Sequence, residues 1–196
     1  MSFLPDNYTP PTTSGQYLKI WDGESIRIRI LTSPVMFYQW WSNDNKPLRV
    51  AFESGMVVKT PDGANLEKKS QFVWAMCVYN YALDKVQIWS PYQKAFLNYI
   101  TDCSKDEDFG NPKTYDFKIA RKWQAMETEY TITALLKPDN MKELNKDILL
   151  EASQIDLKAL VTNWNPFEGV TTHTPVNTPP VANKMESSVK IEDVPF

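Results

Sequence analysis

The chain has 196 residues, of which 42% are hydrophobic and 13% aromatic, with a formal net charge of −3 and a pI near 5.3. That length suits one domain with attachments, at roughly 100–200 residues per domain, and the acidic balance excludes a global field that draws in polyanions. No run approaches the ~18 apolar residues of a membrane span, the start (MSFLPDNY) does not read as a signal peptide, and Cys77 and Cys103 read as buried fillers, so a cytoplasmic setting is expected.

Residues 1–13, with Pro5, Pro10 and Pro11, read as a flexible arm. Tyr17-Leu18-Lys19-Ile20 leads into Trp21-Asp22-Gly23-Glu24, a turn whose Asp-Gly supplies positive φ. Residues 25–31 alternate. Ile26, Ile28 and Ile30 face one side, and Arg27 and Arg29 are expected to form an open face on the other. Residues 34–41 (PVMFYQWW) place Phe37, Tyr38, Trp40 and Trp41 on both faces of a strand, which resumes at Arg49-Val50-Ala51-Phe52 after a turn. Residues 53–70, with the Pro61-Asp62-Gly63 turn, read as a long loop over one face of the fold.

The central stretch is residues 71–136. Residues 71–81 (QFVWAMCVYNY) and 86–89 are expected to pair across a short turn. Ser90-Pro91 reads as a helix start, and the helix over 92–101 buries Phe96, Leu97 and Ile100 before an acidic segment and Gly110-Asn111-Pro112 stop it. Residues 115–121 and 128–135 alternate again. Met141, Leu144 and Ile148 then recur at helical spacing, and Ser153 with Asp156 has the spacing of a cap ahead of Leu157, Leu160 and Val161. This order predicts a mostly β domain over residues 14–167: an OB-fold-like, five-stranded Greek-key barrel with one internal helix and a C-terminal helical attachment. From residue 168 the chain is Thr, Pro, Val and Asn without apolar periodicity, so 168–196 are expected to form a disordered linker with an acidic tip.

Catalysis finds little support. The one histidine, His173, lies in the linker, and there is no zinc-ligand cluster, Gly-rich phosphate loop or Gly-x-Ser-x-Gly elbow. The chain therefore reads as a non-enzyme that needs no cofactor or metal. Single-stranded nucleic acid is held by rings that stack on bases and cations that follow phosphates. The strands supply both: Lys19, Arg27, Arg29, Tyr38, Trp40, Trp41 and Arg49, then Lys118, Arg121 and Lys122 beside Trp123 at a hairpin tip. Trp74 is a further candidate, although its strand face, shared with Phe72, Met76 and Val78, suits a core better. The competing explanation is structural, with arginines that only solubilise a sheet and Trp123 folded onto the end of the barrel.

Ser14-Gly15-Gln16-Tyr17-Leu18-Lys19, the Arg27 strand, Phe72-Val73-Trp74-Ala75 with Val78-Tyr79-Asn80, Gln87-Ile88 with Gln93, Tyr115-Asp116 with Arg121, and Glu129-Tyr130 together resemble a group of bacteriophage single-stranded DNA-binding proteins with an OB-fold. The last residues, Ile191-Glu192-Asp193-Val194-Pro195-Phe196, look like the acidic tip of bacterial single-stranded DNA-binding proteins, though with Lys190 and only two adjacent acids. The resemblance implies sequence-tolerant binding and protection of single-stranded DNA during replication and recombination, in a host cytoplasm. It also implies recruitment of replication or repair proteins through Glu192, Asp193, Val194, Pro195 and Phe196. Phe196 joins an apolar ring to a terminal carboxylate, a combination suited to a pocket with a basic rim. A second reading stays open: a protein-interaction module whose tail imitates the bacterial tip to divert host factors.

Overall fold

The structure is a computed structural model and describes residues 15–124, 127–135 and 144–171. It is mostly β. The strands are β1 (Ser25–Ile30), β2 (Val35–Trp41), β3 (Pro47–Ala51), β4 (Gln71–Asn80), β5 (Lys85–Trp89), β6 (Asp116–Gln124) and β7 (Glu127–Leu135). Helix α1 (Lys94–Lys105) lies between β5 and β6, while α2 (Lys146–Gln154) and a 3-10 turn (Leu157–Leu160) follow the sheet. Pairing is antiparallel throughout, in the order β3-β2-β4-β1-β6-β7, with β5 also on β4. The expected segments recur as strands, but there are seven rather than the five of the expected barrel. The sheet is open, since no pairing joins β7 to β3 or β5 among the described residues.

β4 organises the fold because both of its faces are buried. Val73, Ala75, Cys77 and Tyr79 face a core completed by Phe37, Ile88 and the C-terminal attachment through Ile148, Ala152, Leu157 and Leu160. Met76 and Val78 face a second core, with Ile28 and Phe117 from the neighbouring strands and Phe96 and Ile100 from α1. A strand covered on both sides reads as a near-continuous apolar run, and each large side chain so buried contributes about 1.5–3 kcal/mol. β1 and β2 succeed each other along one edge of β4. Where they meet, the Leu31 amide donates to the Cys77 carbonyl and the Cys77 amide donates to Thr32 Oγ1, both at 2.9 Å.

Three local expectations need correction. Helix α1 starts later, with Gln93 as its N-cap, because Ser90 and Pro91 prolong β5: the Trp74 amide donates to the Pro91 carbonyl at 3.1 Å. It also ends later, at Lys105, because Cys103 is buried and holds the extra turn. In the C-terminal attachment Ser153 is no cap, since its hydroxyl donates to the Leu150 carbonyl inside α2. Asn145 caps α2 and Asp156 caps the 3-10 turn, each accepting from the amide two residues on. Cys77 and Cys103 are both buried and free. No helix among the described residues is long and apolar enough to cross a membrane.

Candidate nucleic-acid interface

The segment before β1 builds one wall of a cleft. Gln16 and Leu18 bracket Ile88, with the Ile88 amide donating to the Gln16 carbonyl at 2.8 Å and the Leu18 amide to the Ile88 carbonyl at 2.9 Å. Gln87, itself buried, donates from Nε2 to the Gly15 carbonyl at 2.9 Å. The open edge of β5 is thus covered by irregular chain rather than by a strand. The next turn is tied to β6: the Gly23 amide donates to the Arg121 carbonyl, and the Arg121 amide donates to the Glu24 carbonyl, both at 3.0 Å. Gly23 takes φ of 75°, the conformation for which the Asp-Gly pair is suited.

This arrangement leaves two hollows of about 320 and 250 Å³ that meet at Tyr17, Ser90 and Tyr92. The larger is lined by Lys19, Trp21, Arg121 and Tyr130, and the smaller by Trp41 and Arg49. Trp21 is 64% exposed and Tyr92 47%, so neither ring belongs to a core. Arg121 is held at one end, with Nη1 donating to the Ile20 carbonyl at 3.0 Å and the guanidinium 5.8 Å from the Tyr130 ring. Its Nε is buried and has no partner among the described residues. Arg49 is braced by Gln39 Oε1 at 3.0 Å and the Leu160 carbonyl at 2.7 Å. Burial lowers its pKa, an effect opposed by neighbouring Tyr17, whose own hydroxyl burial pushes up. A guanidinium, with its very high intrinsic pKa, stays charged there.

The second cationic surface is the face of β1 and β6 turned away from the α1 core. Arg27 lies directly opposite Lys118, and Arg29 opposite Asp116. Here the expected open arginine face is only half present. Arg27 is exposed, but Arg29 is buried against Asp116, itself fully buried. Asp116 also accepts from Arg27 Nε at 2.6 Å and from the Tyr81 hydroxyl at 3.0 Å, while the Arg27 guanidinium sits 4.9 Å from the Tyr81 ring centre. A carboxylate removed from water needs this many donors. Lys118 and Lys122 remain exposed on this face.

The twelve strand candidates therefore separate. Lys19, Trp41, Arg49 and Arg121 line the cleft, while Arg27, Arg29, Lys118 and Lys122 belong to the opposite face. Tyr38 joins Phe52 and Phe72 in a ring cluster with centroids 5.0–6.3 Å apart, and Trp40 beside it is only 7% exposed. Trp40 thus packs as a core ring here and presents no open stacking face. Trp74 packs against the α1 core. The Trp123 backbone lies in β6 opposite Thr128, and its side chain is outside the described residues, as are Glu192, Asp193, Val194, Pro195, Phe196 and His173.

Trp21, Tyr92, Tyr17 and Tyr130 were not singled out by the sequence. The signal for Trp21 was available: a tryptophan beside an Asp-Gly turn, where no core can receive it. Among the described residues no group of three His, Cys, Asp or Glu side chains is placed to hold a metal ion. Comparison with protein-family models, curated proteins and solved structures returns no match. The chemistry on offer is ring stacking and phosphate attraction along a groove.

Proposed function

We propose that this chain binds single-stranded DNA without sequence preference and protects it during replication or recombination. On this reading the domain is an OB-fold-like Greek-key barrel, and the C-terminal tip recruits replication or repair proteins. The observation that carries the proposal is the cleft lined by the rings of Trp21, Tyr92, Trp41 and Tyr130 together with Lys19, Arg49 and Arg121. Stacking is sequence-tolerant because every base has a π-face, and three cations along the groove can follow a backbone. With a net charge of −3 the molecule lacks long-range attraction, so the local cations must supply the electrostatic part.

Fluorescence anisotropy with labelled single- and double-stranded oligonucleotides of one sequence tests the proposal. Single strands are expected to bind more tightly, with similar affinity for unrelated sequences and a salt slope near 2, from about 0.7 per phosphate contacted. Equal affinity for both forms would reject the preference for single strands, and no affinity for either would reject the proposal and favour a protein-interaction module.

A further inference from the structure

Arg121 lines the cleft, and Lys122, the next residue of β6, stands on the opposite face of the sheet. Successive side chains of a strand alternate, so Lys118 and Lys122 share that second face, about 13 Å apart along β6. Arg27 of β1 lies directly opposite Lys118, and Glu129 of β7 directly opposite Lys122. Between the two lysines the face carries only short side chains, Ala120 on β6 with Thr131 and Thr133 on β7, and both threonines are exposed. Asp116, whose carboxylate binds Arg27, is buried and shared with Arg29. No ion pair among the described residues engages Lys118 or Lys122. Like charges directly opposite on neighbouring strands destabilise a sheet. Arg27 and Lys118 carry that cost, and an anion from outside the chain would relieve it.

We propose that this face is a phosphate track on which a bound single strand continues after leaving the cleft. The assignment rests on the single-strand reading above and extends the path of the same ligand. Three features select a phosphate backbone. Its cations are exposed at the lysines and half-exposed at Arg27, so they can meet phosphate without giving up a buried partner. The short side chains between them leave the surface open to a chain lying along it. The track is also continuous with the cleft. Arg121 and Tyr130, which line the cleft, are partners across β6 and β7, and the outer edge of β7 is unpaired among the described residues. A strand that passes Tyr130 and turns over that edge reaches Lys122, then Lys118 and Arg27. Contacts of this kind position a backbone and carry no sequence information, in keeping with sequence-tolerant binding.

The test uses the full chain and labelled oligothymidylates of about 8 and about 24 nucleotides, the shorter within the ~4–16 nucleotides one such fold covers and the longer beyond it. By anisotropy the shorter should keep a salt slope near 2, and the longer should add about 1.4, from two phosphates at about 0.7 each. Lys118→Gln with Lys122→Gln should leave the shorter unaffected and weaken the longer roughly tenfold at 50 mM salt, a loss that shrinks about sevenfold by 200 mM. Lys105→Gln with Lys113→Gln, which removes the same charge at the far end of α1, should alter neither. A longer strand bound as tightly by the Lys118 and Lys122 variant as by the parent, or weakened equally by the control pair, would overturn the track and leave the cleft standing. So would equal losses at both lengths. Labelled polyglutamate that binds the parent but not the Lys118 and Lys122 variant, with strand affinity unchanged, would give the face to an acidic protein segment instead. A parent that binds neither length would overturn the single-strand reading, and the track with it.

Discussion

Replacing Trp21 and Tyr92 by alanine separates stacking from charge in the proposed site. The two rings are 64% and 47% exposed, so their removal takes little from either core. Stability should therefore change by less than about 0.5 kcal/mol for Trp21→Ala, as for other surface substitutions. Base stacking contributes about 1–3 kcal/mol per ring, so the double variant should lose at least about 2 kcal/mol, or roughly thirtyfold in Kd. That loss should be nearly the same at 50 and 200 mM salt, because a stacked ring releases no counterions. Lys19→Ala should behave in the opposite way. It removes one phosphate contact and lowers the salt slope by about 0.7, so its effect shrinks about 2.6-fold across that fourfold salt range. Anisotropy titrations at four salt concentrations, with thermal melts of each variant, measure all of this. A double variant with parental affinity at every salt concentration, and an unchanged melt, refutes the cleft as the stacking surface.

Three further outcomes are expected. Asp116→Ala strands buried Arg29 without its carboxylate and should cost about 3–5 kcal/mol, a fall of roughly 10 °C in Tm by calorimetry; an unchanged Tm would show that Asp116 is not needed there. Cys77 has its thiol pKa raised by burial to about 11, so its contribution is complete below pH 9 and lost as pH rises towards 11. The thiol should account for about 2 kcal/mol of the parent chain's loss over that window in urea melts, and Cys77→Val should lose less by that amount; identical pH profiles would remove the thiol from the account. Deleting residues 191–196 removes the charges of Glu192 and Asp193, so single-strand affinity should hold or rise slightly at low salt, and a loss of affinity would place the tip in the DNA site.

The strands were legible because their periodicity is local. Ile26-Arg27-Ile28-Arg29-Ile30 alternates, and QFVWAMCVYNY is apolar on both faces as a central strand must be. What the pattern could not reveal was which polar side chain would find a buried partner. Arg29 and Arg27 look alike in sequence, and only the register that sets Arg29 opposite Asp116, 87 residues away, buries one and leaves the other exposed. Trp40 and Trp41 are likewise neighbours with opposite fates. Trp40 points into the ring cluster of β2, and Trp41 lines the cleft, as period two requires, but nothing in PVMFYQWW says which face is covered. The helix start was misplaced because Ser90-Pro91 carries two messages. It is a good cap sequence, and it is also a β5 extension whose Pro91 carbonyl β4 uses.

The cleft itself is a consequence of how β5 is finished. An edge strand exposes unpaired amides and carbonyls, and these must be paired, twisted away or covered. Covering β5 with the irregular segment around Tyr17 satisfies Ile88 and the side chain of Gln87, but irregular chain cannot lie flat like a strand. The space it leaves is bounded by residues from six separate stretches, near 17–21, 37–49, 71–73, 88–96, 121–130 and at Leu160. No local motif can announce such a site. Trp21 and Tyr92 stand exposed because no sheet packs against them, and the guanidinium groups are fixed because they tie the covering segment and the 3-10 turn to the strands. Arg121 and Arg49 thus serve two ends at once: one edge of each guanidinium holds backbone, and each lines the groove. Substituting either by lysine keeps the charge but loses the planar fork, so both cleft geometry and strand affinity should suffer together. Lys19, which is exposed, should tolerate arginine freely.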